Sequence, residues 1–309
     1  MFSVKICIIG YKNHAIRLQK ILHELGYQDT FLYNHNIHTK KSLVDFDVFF
    51  IASPNDTHVS WIEFLSRFDK YIFCEKPPAI GVEEFAKISR YDPKLYFNFN
   101  YRFTELSKIT KEYLLNNKLG SILYMNCVSS TGIAFQKNYE NDWRFVGDNL
   151  FSSVVGNVGI HYIDMIGYIL EGIDCVDIKC SHITEKKLPD TSKISIQKDN
   201  IFADILVSYA APFKNETTVV FENGCLYLND GILSLAYPRD TFDNSGRYIT
   251  PTSEVIFDGK NAKQYFDESL MKSISFFMKH AKNNIDISSK YYEQSINTTN
   301  LILKEFGGF

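Results

Sequence analysis

The sequence predicts an α/β protein with a doubly wound parallel sheet at the N-terminus, followed by a mixed or antiparallel sheet with helices on one face. Two observations predict this fold. Over the first third of the chain, short apolar runs alternate with helical segments, which is typical of right-handed crossovers between parallel strands. Farther along, apolar runs follow one another without helices between them, and Asn223-Gly224 between two such runs predicts a hairpin.

Five strands are predicted in the first part of the chain. The apolar runs that predict them lie at 4–9, 30–33, 47–54, 71–77 and 95–103. Helices are predicted at 14–25, from near Thr57, and at 82–89, and Gly26 is typical of a residue that ends a helix. Ligands of such sheets bind beyond the carboxyl ends of the strands, which here carry Gly10, Asn34, Ser53-Pro54, Glu75-Lys76 and 100–102.

The second part begins after a helix at about 104–118. Five strands are predicted there, at 121–130, 173–184, 201–210, 216–222 and 224–229. Helices are predicted at 157–170, 265–282 and 288–305. We therefore place one domain at residues 1–119 and a second at residues 120–309.

Composition limits the classes of partner. The chain has 309 residues, and a formal net charge of −3 without a basic stripe argues against nucleic acid or an anionic membrane. Six scattered cysteines without CxxC spacing indicate thiols in a reducing compartment. No apolar run reaches the length of about 18 residues needed to span a bilayer, so we expect a cytoplasmic protein without a membrane partner.

The turn after the first strand partly fits a dinucleotide fingerprint, G-x-G-x-x-G. Gly10, Lys12 and Ala15 occupy the three glycine positions. Lys12 restricts the approach of a diphosphate to the backbone, although its ammonium group could contact a phosphate. On this motif alone, dinucleotide binding and an ordinary turn are equally acceptable.

The second strand ends at Asn34, where an NAD-binding domain would carry an acid. Asn34 can bond a ribose hydroxyl without repelling a 2′-phosphate. Lys40 and Lys41 follow closely, so NADP remains open beside NAD, and a solvated loop is the alternative for both lysines.

Glu75-Lys76-Pro77 ends the fourth strand. Pro77 disfavours the helical conformation at Lys76 and keeps it extended. A buried lysine beside a cationic nicotinamide ring would lose part of its preference for the charged form. Such an amine could exchange a proton with a substrate hydroxyl. Taken alone, the tripeptide is more typical of a Glu–Lys surface pair.

A second group of polar residues lies in the helix predicted at 157–170. Asn157 and His161 are one turn apart, and Asp164 follows three residues later, so the three can project along one face. A lone histidine on an apolar helix is usually a core residue, but a row of three polar residues is harder to explain in that way. Ordinary spacing supplies no third zinc ligand, so no metal is expected.

Four motifs in this order resemble the Gfo/Idh/MocA oxidoreductases: IASPNDTH at 51–58, CEKP at 74–77, NFNYRF at 98–103 and NVGIHYIDMI at 157–166. The resemblance implies a Rossmann domain that binds NAD, with NADP not excluded. It also implies a C-terminal α+β domain with a large, mostly antiparallel open sheet. That sheet would make the contacts of a homodimer or homotetramer. The activity implied is NAD(P)-dependent oxidation or reduction of a sugar-like alcohol.

The resemblance also assigns roles to individual residues. Lys76 and His161 would be the catalytic proton-transfer residues. The cofactor would be bound by Gly10, Tyr11, Lys12, Asn34, Ser53, Pro54, Asn55, His58, Glu75 and Lys76. The substrate would be bound by Asn100, Arg102, Trp143, Arg144, Asn157 and His161, with Tyr101 near the site.

One departure from the family's pattern limits the class of substrate. Many members of the family carry Asp four residues before the histidine, whereas this chain carries Asn157. This form, and residues 129–145, look more like the branch of UDP-N-acetyl-2-amino-2-deoxyglucuronate 3-dehydrogenases. A neutral residue suits an anionic substrate. Arg102, Lys137 and Arg144 could contact its diphosphate or carboxylate, and ordinary surface charge is the alternative for the last two.

The function predicted is hydride transfer between a nicotinamide cofactor and a sugar ring hydroxyl, with C3 expected. The sugar would be a UDP-sugar or another nucleotide-linked sugar in surface-polysaccharide biosynthesis. The alternatives are a dehydrogenase or reductase of a free sugar or inositol, and a non-catalytic regulator that binds nucleotide or sugar. The irregular glycine loop favours the regulator, whereas Lys76 and His161 argue against it.

Overall fold

The computed structural model describes residues 4–34, 43–139, 142–147, 149–238 and 241–306, without the side chains of Asn138 and Trp143. The chain divides into two compact units. One comprises Met1–Phe99 and Leu270–Leu303, and the other comprises Asn100–Ser269 and Lys304–Phe309.

The first unit is built on a five-stranded, wholly parallel sheet. Its strands are β1 (Ile6–Ile9), β2 (Thr30–Tyr33), β3 (Val48–Ile51), β4 (Tyr71–Glu75) and β5 (Leu95–Asn98). The crossover helices are α1 (Asn13–Glu24), α2 (His58–Leu65) and α3 (Val82–Ile88). The spatial order β2-β1-β3-β4-β5 confirms the predicted doubly wound sheet, and it reverses direction between β1 and β3, where such sheets bind ligands.

Aromatic side chains fill the core of this unit. The rings of Phe50 and Phe73 are stacked with centroids 4.6 Å apart, and Phe73 continues to Tyr96 at 5.4 Å. Phe277 packs edge-on against Phe50 at 5.4 Å, although it lies more than 200 residues farther along the chain. The Tyr292 hydroxyl donates to the carbonyl of Ile88. These contacts fasten residues 270–303 to the parallel sheet.

The second unit contains an eight-stranded sheet in the order β13-β12-β11-β10-β6-β9-β8-β7. Its strands are β6 (Ile122–Ser130), β7 (Cys175–Ser181), β8 (Thr191–Lys198), β9 (Ile201–Ser208), β10 (Lys214–Phe221), β11 (Gly224–Asn229), β12 (Ile232–Ala236) and β13 (Ser253–Asp258). Every neighbouring pair is antiparallel except β6 and β9, which confirms the mostly antiparallel sheet. The sequence did not predict β8, β12 or β13.

The remaining helices are α4 (Glu105–Leu115), α5 (Trp143–Val146), α6 (Ile160–Ile169), α7 (Ala262–Asn283) and α8 (Ser289–Phe306). None of the described helices combines the length and the apolar character needed to span a bilayer. The packing differs from the predicted division at residue 119. Residues 100–119 belong to the second unit, where the backbone N–H of Leu106 donates to the Tyr265 hydroxyl, whereas 270–303 belong to the first.

The helix predicted at 157–170 begins differently from the prediction. A π-helical turn, Val155–Gly159, precedes α6. Gly156 allows this turn to lie against residue 151, because an added Cβ would come within 2.3 Å of the Phe151 carbonyl oxygen. Wide turns of this kind occur frequently at functional sites.

Candidate functional site

The turn between β1 and α1 is shaped to approach a ligand closely. Gly10 has φ of +142°, and a Cβ there would lie 2.8 Å from the carbonyl oxygen of Ala52 at the end of β3. α1 starts directly afterwards, and no side chain of the described residues caps its N-terminus at Lys12. Uncapped N–H groups and the helix dipole attract an anion. The turn therefore fits the diphosphate of a dinucleotide.

The other residues predicted to bind cofactor are distributed along the same edge of the sheet. Tyr11 and Lys12 are exposed, and Asn34 is partly buried just after β2. After β3, the Ser53 and Thr57 hydroxyls lie 2.6 Å apart, and Thr57 donates to the carbonyl of Pro54, which fixes the loop through Asn55. Lys40 and Lys41 lie outside the described residues.

His58 does not line the surface of this edge, which corrects its predicted cofactor contact. Its side chain is fully buried. Nδ1 lies 2.8 Å from the carbonyl oxygen of Pro77 and Nε2 lies 3.1 Å from that of Ser53. The imidazole thus joins the loop after β3 to the loop after β4. Burial lowers the pKa of His58, and the two carbonyls oppose this shift only in part.

We expect His58→Leu to reduce the free energy of unfolding by about 1–3 kcal/mol, because it removes the ring N–H that the neutral imidazole donates to one of the carbonyls of Ser53 and Pro77. A lowered folded-state pKa means that His58 contributes stability above its ordinary pKa of 6.5 and loses it as the pH falls. The difference between wild type and variant should therefore shrink below pH 6.5. Urea unfolding at several pH values measures it, and a variant as stable as wild type at pH 8 would contradict this role.

The carboxyl end of β4 carries Glu75 and Lys76. Glu75 is buried, and its Oε1 accepts hydrogen bonds from His14 Nε2 at 2.8 Å and from Asn98 Nδ2 at 2.9 Å. Burial alone would raise the pKa of Glu75, but His14, Asn98 and Lys76 outweigh it and lower the pKa to about 2. Glu75 is therefore ionised at neutral pH. Lys76 is partly exposed.

His14 was not predicted to belong to the site, although its side chain contacts Glu75. It lies in the first turn of α1, and its contact with Glu75 joins residues 61 positions apart. The sequence signal that could have indicated His14 was a titratable side chain within the glycine motif at 10–15. A sequence could not show which strand end it reaches.

In the second unit, Arg102 forms a buried ion pair with Asp164 on α6. Arg102 Nε lies 2.7 Å from Asp164 Oδ2, and a terminal nitrogen lies 2.6 Å from Oδ1. The two side chains are 1% and 0% exposed, so Arg102 cannot reach an anionic substrate from this position. This corrects its predicted substrate contact. Asn100 is also buried and donates to the Ser269 hydroxyl, which likewise argues against a substrate contact.

The predicted row of Asn157, His161 and Asp164 lies in three different environments. Asp164 is buried in its pair with Arg102. His161 is partly exposed and its ring stacks on Tyr101, with centroids 4.5 Å apart and planes 17° apart. The other face of Tyr101 stacks on Phe266 at 4.4 Å. The imidazole plane is therefore fixed by an aromatic stack. Among the described residues, no group of three or more metal-ligand side chains could hold a metal ion.

Asn157 lies in the π-helical turn and donates to the hydroxyl of Tyr209. Burial raises the pKa of Tyr209 to about 12, although Asn157 and Arg144 act in the opposite direction. Arg144 also bonds both carboxylate oxygens of Asp142, at 2.9 and 3.0 Å. Asn157, Tyr209 and Arg144 thus form one polar cluster. Lys137 is exposed, and the Trp143 side chain lies outside the described part.

Family models match residues in both units of the chain. Residues 10–94 match a family model described as an oxidoreductase family with an NAD-binding Rossmann fold, and residues 108–227 match the GFO/IDH/MocA C-terminal domain. A glucose-6-phosphate 3-dehydrogenase of Bacillus subtilis is 27% identical over 174 residues, covering 51% of this chain and 49% of that protein. A levoglucosan dehydrogenase of Pseudarthrobacter phenanthrenivorans is 29% identical, over 43% of this chain and 35% of its own length. The matched region thus spans half or less of these curated relatives.

Solved structures share the fold over nearly the whole chain. Levoglucosan dehydrogenase in complex with NADH and levoglucosan has a TM-score of 0.74 at 18% identity, covering 99% of this chain and 88% of that one. An Agrobacterium radiobacter oxidoreductase with NAD+, L-tartaric acid and magnesium has a TM-score of 0.76 at 14% identity, covering 99% and 96%. Since the two family models together match well over half of the chain, the chain belongs to the Gfo/Idh/MocA family of oxidoreductases, and its first unit contains the NAD-binding Rossmann domain.

Proposed function

We propose that this protein is an NAD-dependent dehydrogenase that oxidises a ring hydroxyl, at C3, of an anionic sugar. The sugar we favour is a UDP-sugar or another nucleotide-linked sugar used in surface-polysaccharide biosynthesis. The observation that carries the proposal is the position of Lys76, which follows an ionised Glu75 at the same sheet edge as the Gly10 turn. A strand end of this kind places an amine where an NAD-binding domain does its chemistry.

We assign the following roles to the chain's own residues. The Gly10 turn and the N-terminus of α1 hold the diphosphate, and Asn34 and the loop Ser53–Asn55 contact the rest of the cofactor. Bound in this way, NAD would supply the hydride acceptor for the sugar carbon. Lys76 or His161 takes the hydroxyl proton. The stack on Tyr101 restricts His161 to one ring orientation, which suits a group that must meet a proton along a defined direction.

Two features support an anionic substrate. Asn157 is neutral where many members of the family have Asp, which removes a like charge from the site. Its amide group donates to Tyr209, and Arg144 lies beside the same hydroxyl. The glucose-6-phosphate 3-dehydrogenase relative gives a second candidate, since its name states a phosphorylated sugar and the same ring carbon. Both candidates combine C3 oxidation with a negative charge.

The substrate class is tested by following NADH absorbance at 340 nm. Purified protein is given NAD+ with UDP-N-acetylglucosaminuronic acid, UDP-glucose, glucose 6-phosphate, glucose or myo-inositol. We expect kcat/KM for a UDP-sugar to exceed that for glucose at least about tenfold, a difference of about 1.4 kcal/mol. A preference for glucose 6-phosphate would select the second candidate. Turnover of glucose or inositol alone would contradict an anionic substrate, and NAD binding without turnover would favour the regulator.

We also propose a cytoplasmic homodimer or homotetramer that assembles through the open face of the eight-stranded sheet. The described cysteines are all free thiols, which suits a reducing compartment. Exposed apolar side chains on that face support the assembly, namely Phe202, Leu206, Tyr227 and Val255. Light scattering coupled to size exclusion measures the subunit count, and a monomer at micromolar concentration would contradict the assembly.

A further inference from the structure

His14 makes a contact that the sheet backbone cannot supply. Hydrogen bonds in a sheet join each strand only to its neighbours, and β3 lies between β1 and β4. Strand spacing separates β1 from β4 by about 9.5 Å. The His14 side chain crosses this gap above the end of β3 and donates to Glu75. The turn after β1 is thereby joined directly to the end of β4.

The Glu75 carboxylate is fixed from the other side as well. Asn98 at the end of β5 donates to the same oxygen, and its own carbonyl accepts from the Ser273 hydroxyl at 2.7 Å. Ser273 in turn lies 2.7 Å from the buried Tyr96 hydroxyl. Because these core contacts orient the Asn98 amide, Glu75 is held on the core side by a rigid group. His14 holds it on the side of the Gly10 turn.

We propose that His14 is a positioning residue that couples the cofactor turn to the Glu75-Lys76 strand end. A shift of the Gly10 turn would move α1 and its imidazole, and Glu75 would follow. The bond between His14 and Glu75 therefore aligns Lys76 with the cofactor when the turn is occupied. A charge-assisted bond to a buried carboxylate is strong enough to transmit this alignment. The inference rests on the proposed function, since it assigns Lys76 to the chemistry.

Two substitutions at position 14 separate the hydrogen bond from the volume of the side chain. His14→Leu keeps a comparable volume but cannot donate. His14→Gln places an amide N–H at nearly the reach of Nε2. The matched control is His23→Leu, which removes an exposed histidine from the far end of the same helix, where it bonds the Thr30 hydroxyl at 2.7 Å. Each variant is assayed for NADH affinity by fluorescence, for kcat at saturating NAD+ and for thermal stability.

We expect His14→Leu to weaken NADH binding and to lower kcat, each about tenfold or more, on the scale of a lost hydrogen bond to a charged group. His14→Gln should recover to within about threefold of wild type, and His23→Leu should match wild type. A folded His14→Leu variant with unchanged NADH affinity and kcat would overturn the proposal, as would a Gln variant as impaired as the Leu variant. The measurement of NADH affinity needs no sugar. A wild type that binds NADH but oxidises no sugar would therefore contradict the proposed function, while the effect of His14→Leu on NADH affinity could still be measured.

Discussion

Replacing Lys76 with alanine should lower turnover more than about a hundredfold, the usual contribution of a general acid or base. The fold should survive, because Lys76 is partly exposed and its loss opens no cavity in the core. NADH binding should weaken far less than turnover, since the Gly10 turn and the N-terminus of α1 are unchanged. Measuring kcat by NADH absorbance and NADH affinity by fluorescence separates the two effects.

Lys87→Ala is the matched control for this experiment. Lys87 is an exposed lysine on α3 of the same unit, and its ammonium pairs with Glu63 at 3.2 Å. Its removal should leave turnover unchanged. His161→Asn then distinguishes the two candidate bases, because the group that takes the proton should show the larger loss of kcat. Turnover of Lys76→Ala within about threefold of wild type would remove Lys76 from the mechanism.

Asp164→Ala is expected to lower the free energy of unfolding by about 3–5 kcal/mol, because it leaves the buried guanidinium of Arg102 without its carboxylate. The pair anchors the segment Asn100–Phe103 to α6, so its loss should also disturb Tyr101 and its stack on His161. Urea unfolding measures the change. Activity should fall too, although Asp164 touches no substrate in this account.

The control is Asp267→Ala, which removes one partner of the exposed pair formed with Lys263 on α7. That change should cost no more than about 0.5 kcal/mol. Replacing both members of the buried pair with apolar residues should recover much of the stability lost in Asp164→Ala. An Asp164→Ala variant that loses less than about 1 kcal/mol would show that the pair does not hold this segment in place.

The parallel sheet could be predicted because four of its five strands are buried on both faces and read as continuous apolar runs, as Val48–Ile51 does. The strands missed in the second unit have a different pattern. β8 alternates small polar residues and lysine with two isoleucines, so it lacks an apolar run. The boundary differed because Phe277 and Tyr292 pack on the first sheet from far along the chain. Such pairing has no local signal.

At the site, too, features set by nearby residues could be predicted, whereas contacts with residues far along the chain could not. Gly10 was predicted correctly as a turn residue because its φ of +142° is a conformation that glycine adopts without strain, which is a local rule. The resemblance assigned Arg102 to the substrate, and nothing near it in sequence reveals Asp164, which lies 62 residues away. The resemblance assigned His58 to the cofactor, and its burial depends on Pro77, in the next loop. Residue type indicated candidate chemistry, but it could not give the direction of each side chain.

We propose above that a hydride leaves C3 of an anionic sugar for NAD+ with the help of Lys76. The most direct measurement is mass spectrometry of the NADH formed from a C3-deuterated sugar, using the best substrate of the panel. We expect wild type to form NADH carrying one deuterium, and Lys76→Ala to form almost none in the same time. Undeuterated NADH from wild type, or labelled NADH at an equal rate from the variant, would contradict it.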